Sequence, residues 1–98
     1  MKHKVCHAFV EAEGQRKKHP FDTLVEGVGL NRITKNFEKA IIDDAFTVSD
    51  VESLHMAHFL IENEGIFVGA SSAMNCVAAV KTSRKFPNLK TIVTILCD

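Results

Sequence analysis

A hydroxyl, two glycines and an apolar run crowd into one stretch of this chain, Glu64-Gly65-Ile66-Phe67-Val68-Gly69-Ala70-Ser71-Ser72-Ala73. The spacing predicts a short apolar strand, a tight turn of small residues and a serine at the start of a helix. A helix start leaves backbone N–H groups without intrahelical partners, and these attract anions and electron-rich ligands. A serine presented there, above a strand end, suits an aromatic heterocycle or an anion. Serine is also a favoured helix cap, so the stretch by itself fits a purely structural role better than a functional one. A second turn of the same kind follows Thr23-Leu24-Val25, in Glu26-Gly27-Val28-Gly29. Its glycines permit a positive φ or close approach of backbone to a ligand. Two glycine turns, each after an apolar run, suggest one shared ligand pocket.

Other chemistry-bearing residues lead less far. His55 and His58 are three apart, without the four-residue spacing and intervening glutamate of a helical zinc motif. They read as surface or packed histidines. His3, Cys6 and His7 could hold a soft metal, but no second ligand pair accompanies them. Asp43 and Asp44 are adjacent, so in a strand they point to opposite faces and cannot act as a pair. Ser71 has no G-x-S-x-G elbow around it and no evident histidine and acid partners. Arg16-Lys17-Lys18 reads as a solvated loop, too short for a nucleic-acid footprint.

The elements that must position these groups alternate. Val5 to Glu13 reads as a short helix or the end of one, and Thr23 to Val25 as a strand. Asn31 to Ala40 is mixed, and Ile41 to Val48 is a strand or extended segment. Ser49-Asp50-Val51-Glu52 is a capping box. The helix it starts should run to about Asn63, with Leu54, Ala57, Leu60 and Ile61 on its apolar face, and Gly65 should stop it. Ile66 to Val68 is a brief buried strand. Ser71 or Ser72 caps the next helix, whose Ala73, Val77, Ala78 and Val80 pack inward before Pro87 ends the region. Thr91 to Cys97 is a nearly continuous β-branched run, expected of a strand buried on both faces of a parallel sheet. This order argues an α/β fold with parallel pairing.

Ninety-eight residues with a 46% apolar share allow one small domain or part of a larger one. Twelve basic residues balance twelve acidic ones, which gives no field favouring nucleic acid or an anionic membrane. No apolar run approaches the roughly 20 residues of a membrane span, and the first residues lack the apolar stretch of a secretory signal. Three cysteines, Cys6, Cys76 and Cys97, form no C-x-x-C pair. Cys76 and Cys97 lie in apolar runs, read as small buried residues, and fit a reducing compartment.

Taken together, four segments resemble the C-terminal part of the pyridoxal-phosphate enzymes of the cysteine synthase and cystathionine β-synthase family. Val25-Glu26-Gly27-Val28-Gly29 is similar to the family's V/I-E/Q-G-I-G turn. Ile42 to Glu52 resembles its strand leading into a capped helix. Glu64 to Ser72 resembles E-G-I-x-x-G-x-S-S, and Thr91 to Asp98 resembles the strand that follows. The match covers residues 22–98, with residues 1–20 a variable lead-in. Leu30 to Thr34 and the basic stretch before Pro20 look most like the fungal cysteine synthase-like branch.

The resemblance implies a three-layer α/β/α fold with a mostly parallel sheet, the C-terminal portion of the tryptophan synthase β-like fold, and residues 1–98 as a single incomplete domain. It implies pyridoxal 5'-phosphate as cofactor, with Ser71 hydrogen-bonded to the pyridine nitrogen. A neutral hydroxyl leaves that nitrogen unprotonated, which suits β-elimination and replacement rather than transamination. Gly27 would lie by the cofactor and Gly69 would permit the turn that aims Ser71, while Ser72 reads as a cap. The family often has glycine after the paired serines, whereas Ala73 stands here. The lysine that holds the cofactor, the substrate-binding S/T-G-N loop and the phosphate cradle are expected upstream; no lysine from Lys2 to Lys90 lies in a matching segment. The implied activity is that of a cysteine synthase fragment, inactive alone, replacing the β-substituent of O-acetylserine or a related activated serine with sulfide. The alternatives are a non-catalytic binding or regulatory module of the same fold and a cystathionine β-synthase-type lyase. The expected partners are an amino-acid substrate and a second copy in a homodimer, in the cytoplasm or mitochondrion, with no nucleic acid and no membrane segment.

Overall fold

The computed structural model describes residues 34–97. These fall into two compact units, residues 34–45 and residues 46–97. In the first, Thr34 Oγ1 accepts the Phe37 N–H at 3.2 Å and so caps a single helical turn, α1 (Lys35–Lys39). Glu38 stands in its first turn and Lys39 in its last, each sign matching the helix dipole. Residues 40–45 then run without regular structure, and the Asp44 carboxylate closes onto the Ala45 N–H at 2.8 Å.

The second unit is built on a helix pair. The capping box is formed as expected: Ser49 Oγ accepts the Glu52 N–H at 3.2 Å, and Glu52 Oε2 accepts the Ser49 N–H at 2.7 Å. It starts α2 (Asp50–Phe59), which widens into a π-helical turn over Leu60–Glu64. Gly65 stops it at φ +66°, a left-handed conformation that suits glycine, and the Gly65 and Ile66 N–H groups both return to the Leu60 carbonyl. The second long helix, α3 (Ala70–Lys85), packs against α2. Its last turn carries Arg84 and Lys85, and Phe86 closes it just before Pro87.

The core of this unit is small: Val68, Ala73 and Val77 with the hydroxyl residues Ser53 and Ser72. The expected apolar face of α2 is corrected here. Leu54 and Ile61 are exposed, Ala57 and Leu60 are half-buried, and the fully buried position is Ser53. Ser53 tolerates burial because its Oγ donates to the Ser49 carbonyl at 3.1 Å. On α3, Ala73 and Val77 are buried as expected, Ala78 is half-buried, and Val80 is exposed.

The three segments expected to be strands are not strands among the described residues. Residues 41–48, 66–68 and 91–97 are extended or irregular backbone without ladder partners. Val68 is buried, but Phe67 is 87% exposed, and Val93 in the last run is 85% exposed. The reason is physical. A β-branched run is a strand only when a neighbour supplies partners for its N–H and C=O groups, and no such neighbour lies among the described residues. The predicted parallel sheet is therefore not seen, and the described architecture is helical. The segments before Thr34 that were expected to carry a helix, a strand and the first glycine turn lie outside the described residues.

Candidate functional site

The N-terminus of α3 has no side-chain cap among the described residues. Gly69 is its N-cap, with no side chain to bond the first N–H groups, and the Ala73 N–H is the first to close the helix, onto the Gly69 carbonyl at 3.1 Å. No acidic residue stands in the first turn. The N–H groups of Ala70 and Ser71 keep the partial positive charge of the helix start. Neither serine is the cap that the sequence suggested. The helix starts one residue before Ser71, which leaves Ser71 and Ser72 inside the first turn. Gly69 has φ −77° and ψ 178°, extended backbone open to any residue, so the turn into α3 does not depend on glycine. What Gly69 supplies is the absence of a side chain beside the first N–H groups.

The two serines differ sharply. Ser72 is wholly buried, and its Oγ accepts the Cys97 N–H at 2.8 Å. Ser71 is half-buried, and its hydroxyl has no hydrogen-bond partner among the described residues. One turn further on, Asn75 Nδ2 donates to the Ile95 carbonyl at 2.9 Å and lies 3.7 Å from Cys97 Sγ. Both bonds tie the first two turns of α3 to residues 95–97. Cys97 is consequently at the surface beside the helix start, not the small buried residue expected of it; Cys76 is half-buried, and both are free thiols. A main-chain N–H held by a side chain twenty-five positions away leaves no mark in local sequence, so Asn75 and the partner of Ser72 were not legible there.

The far end of α3 is held differently. Lys81 Nζ donates to the Thr47 carbonyl at 2.6 Å and pairs with Glu52 at 2.9 Å. The Ser49 N–H, and after it Lys81, hold the Glu52 carboxyl below its usual range. Lys85 Nζ lies 5.4 Å from the ring centroids of Phe46 and Phe86. The i, i+4 spacing of Lys81 and Lys85 is the signal that could have placed both on one face of α3.

His55 and His58 are exposed, and no cluster of metal-ligating side chains occurs among the described residues. Gly27, Gly29, His3, Cys6 and His7 lie outside the described residues.

A family-wide sequence profile described as pyridoxal-phosphate dependent enzyme matches residues 2–98. The chain belongs to this family. Cysteine synthase 2 of Neurospora crassa is 49% identical over 100% of this chain and 22% of its own length. Cysteine synthase 2 of Schizosaccharomyces pombe is 48% identical over 98% of this chain and 26% of its own. The cystathionine beta-synthase of Apis mellifera is 38% identical over 76% of this chain and 15% of its own. The chain thus spans about a quarter or less of the curated relatives it matches. Membership brings the α/β fold and the pyridoxal 5'-phosphate dependence of the family. The described residues fit that cofactor: a neutral hydroxyl with no partner among them, at a helix start without a side-chain cap and with no carboxylate in the first turn, can meet an unprotonated ring nitrogen. No helix among the described residues is long and apolar enough to cross a membrane.

Proposed function

We propose that this chain is part of a pyridoxal-phosphate-dependent cysteine synthase, with Ser71 as the hydroxyl that meets the pyridine nitrogen. The observation that carries this reading is the Ser71 hydroxyl, which has no partner among the described residues, at the start of a helix that its N-cap Gly69 does not cap. The bound cofactor would supply the electron sink for β-elimination and replacement on an activated serine such as O-acetylserine, with sulfide as the incoming group. Ser71 keeps its proton on Oγ and offers it to the ring nitrogen, which stays neutral because no carboxylate stands close by in that turn. The dipole of α3 adds a positive potential at the same end. Gly69, and by the family turn Gly27, leave room where side chains would crowd the ring.

In this reading residues 1–98 form an incomplete domain, with residues 22–98 the family core. Residues 66–68 and 91–97 then become strands of a mostly parallel sheet within a three-layer fold once neighbouring strands pair with them. The lysine that holds the cofactor belongs to another part of the protein, and the substrate is a small amino acid. The full protein is a homodimer of the cytoplasm or mitochondrion. The two fungal cysteine synthase 2 relatives match with higher identity and coverage than the cystathionine β-synthase does, which favours sulfide over a longer thiol.

The test is Ser71→Ala in the full protein. Losing one neutral hydrogen bond should weaken pyridoxal 5'-phosphate binding about threefold to tenfold, with a shifted absorbance of the bound cofactor and slower sulfide-dependent cysteine formation. Unchanged affinity and absorbance would refute the assignment.

A further inference from the structure

Ser71 stands in a turn whose other polar side chains are already committed. Ser72 projects about 100° round the helix from Ser71, is wholly buried, and accepts the Cys97 N–H at 2.8 Å. Asn75 lies four residues after Ser71, so the two are neighbours on the helix surface. An Asn amide at that spacing is the natural competitor for the Ser71 hydroxyl. Its Nδ2 instead donates to the Ile95 carbonyl at 2.9 Å. The two bonds run in opposite senses, one accepted by α3 and one donated by it, to backbone groups two residues apart. Together they form a clasp on residues 95–97 that resists roll of α3 about its own axis.

We propose that Ser72 and Asn75 are positioning residues that aim Ser71: their clasp on the backbone of Ile95 and Cys97 fixes the rotation of the α3 N-terminus and keeps the Ser71 hydroxyl free for the cofactor. This rests on the Ser71 reading above. Roll of the helix would carry the hydroxyl away from the ring, and a released Asn75 amide would compete for it. Neither residue touches the cofactor in this scheme; both act through Ser71.

A double-mutant cycle in the full protein separates this from general stabilisation. Apo-protein is titrated with pyridoxal 5'-phosphate, following absorbance of the bound cofactor, for wild type, Asn75→Ala, Ser71→Ala and the double variant. Ser72→Ala is run alongside, and thermal unfolding of each apo-protein is recorded. With Ser71 present, Asn75→Ala should weaken cofactor binding about threefold to tenfold. In the Ser71→Ala background the same substitution should change it by less than about twofold. Equal losses in both backgrounds would overturn the positioning role and leave the Ser71 assignment intact. No loss on Ser71→Ala itself would overturn both. Asn75 is only half-buried, so its variant is the one that keeps the test readable if Ser72→Ala fails to fold.

Discussion

Replacing Ser72 by alanine deletes the only atom that the side chain offers to the Cys97 N–H. The change is small in volume, and Ser72 is fully buried on a helix that also buries Ala73, so the backbone of α3 has no reason to move. The cost to the Cys97 N–H is the lost hydrogen bond. A net bond of this kind contributes about 0.5–1.5 kcal/mol. Cys97 is itself exposed, so water can reach its N–H once the acceptor is gone, which keeps the cost in that range and away from the larger penalty of a sealed orphan donor. The effect should therefore be local: the amide of Cys97 opens about twofold to tenfold more often, while the amides of α2 keep their protection. Native-state hydrogen exchange on the full protein reads both at once. An unchanged Cys97 amide would refute the clasp. Uniform loss of protection through α2 and α3 would also refute the reasoning, since it would make Ser72 a determinant of the helix pair and not of its end.

Three further outcomes follow from other parts of the unit. The folded-state pKa of Glu52 lies below the ordinary value of 4.5, so its contribution is present above the unfolded pKa and is lost as pH falls through the folded one. Unfolding midpoints of wild type should exceed those of Glu52→Gln at neutral pH and converge with them below pH 4.5; a constant gap would contradict the pairing. Val77→Ala removes two methyl groups from a buried site and should cost about 1.5–3 kcal/mol by denaturant titration, whereas no measurable change would mean that the helix pair does not pack on that face. Gly65→Ala meets no neighbouring atom within 4 Å yet must hold φ +66°, and should cost about 1 kcal/mol.

What could be read from the residues was local. The capping box needs only Ser49 and Glu52 three positions apart, and the helix stop needs only Gly65; both formed as expected. The inward face of α2 was not legible because apolar residues surround it: Val51, Leu54, Phe59 and Ile61 are all exposed, while the buried residue is a serine that satisfies itself on its own helix. The expected strands are not formed among the described residues for a related reason. Ile92, Val93 and Ile95 have the composition of a buried strand, but pairing is a property of neighbours and not of the run. Within the site, spacing located Ser71, whereas the bonds that surround it join residues 20 to 25 positions apart. Nothing in a window of ten residues encodes those.

Charge and capping are distributed unevenly along α3. A side-chain cap would stabilise that end by about 1 kcal/mol, and an acidic residue there by about 0.3–1 kcal/mol. The chain forgoes both, placing Gly69 at the cap and no carboxylate in the turn. It takes the corresponding gain at the opposite end, where Arg84 and Lys85 stand against the C-terminal carbonyls and Lys81 grips Thr47 and Glu52. A helix stabilised only from one end would fray at the other. The bonds from Ser72 and Asn75 prevent that without occupying a single N–H of the first turn, because they engage the helix through side chains and residues 95–97 through backbone. The result is a helix start held in place while the Ser71 hydroxyl keeps no partner among the described residues. In the function proposed above, that hydroxyl is the group a pyridine nitrogen would meet, and the absence of a carboxylate from the same turn is what would let the nitrogen stay neutral.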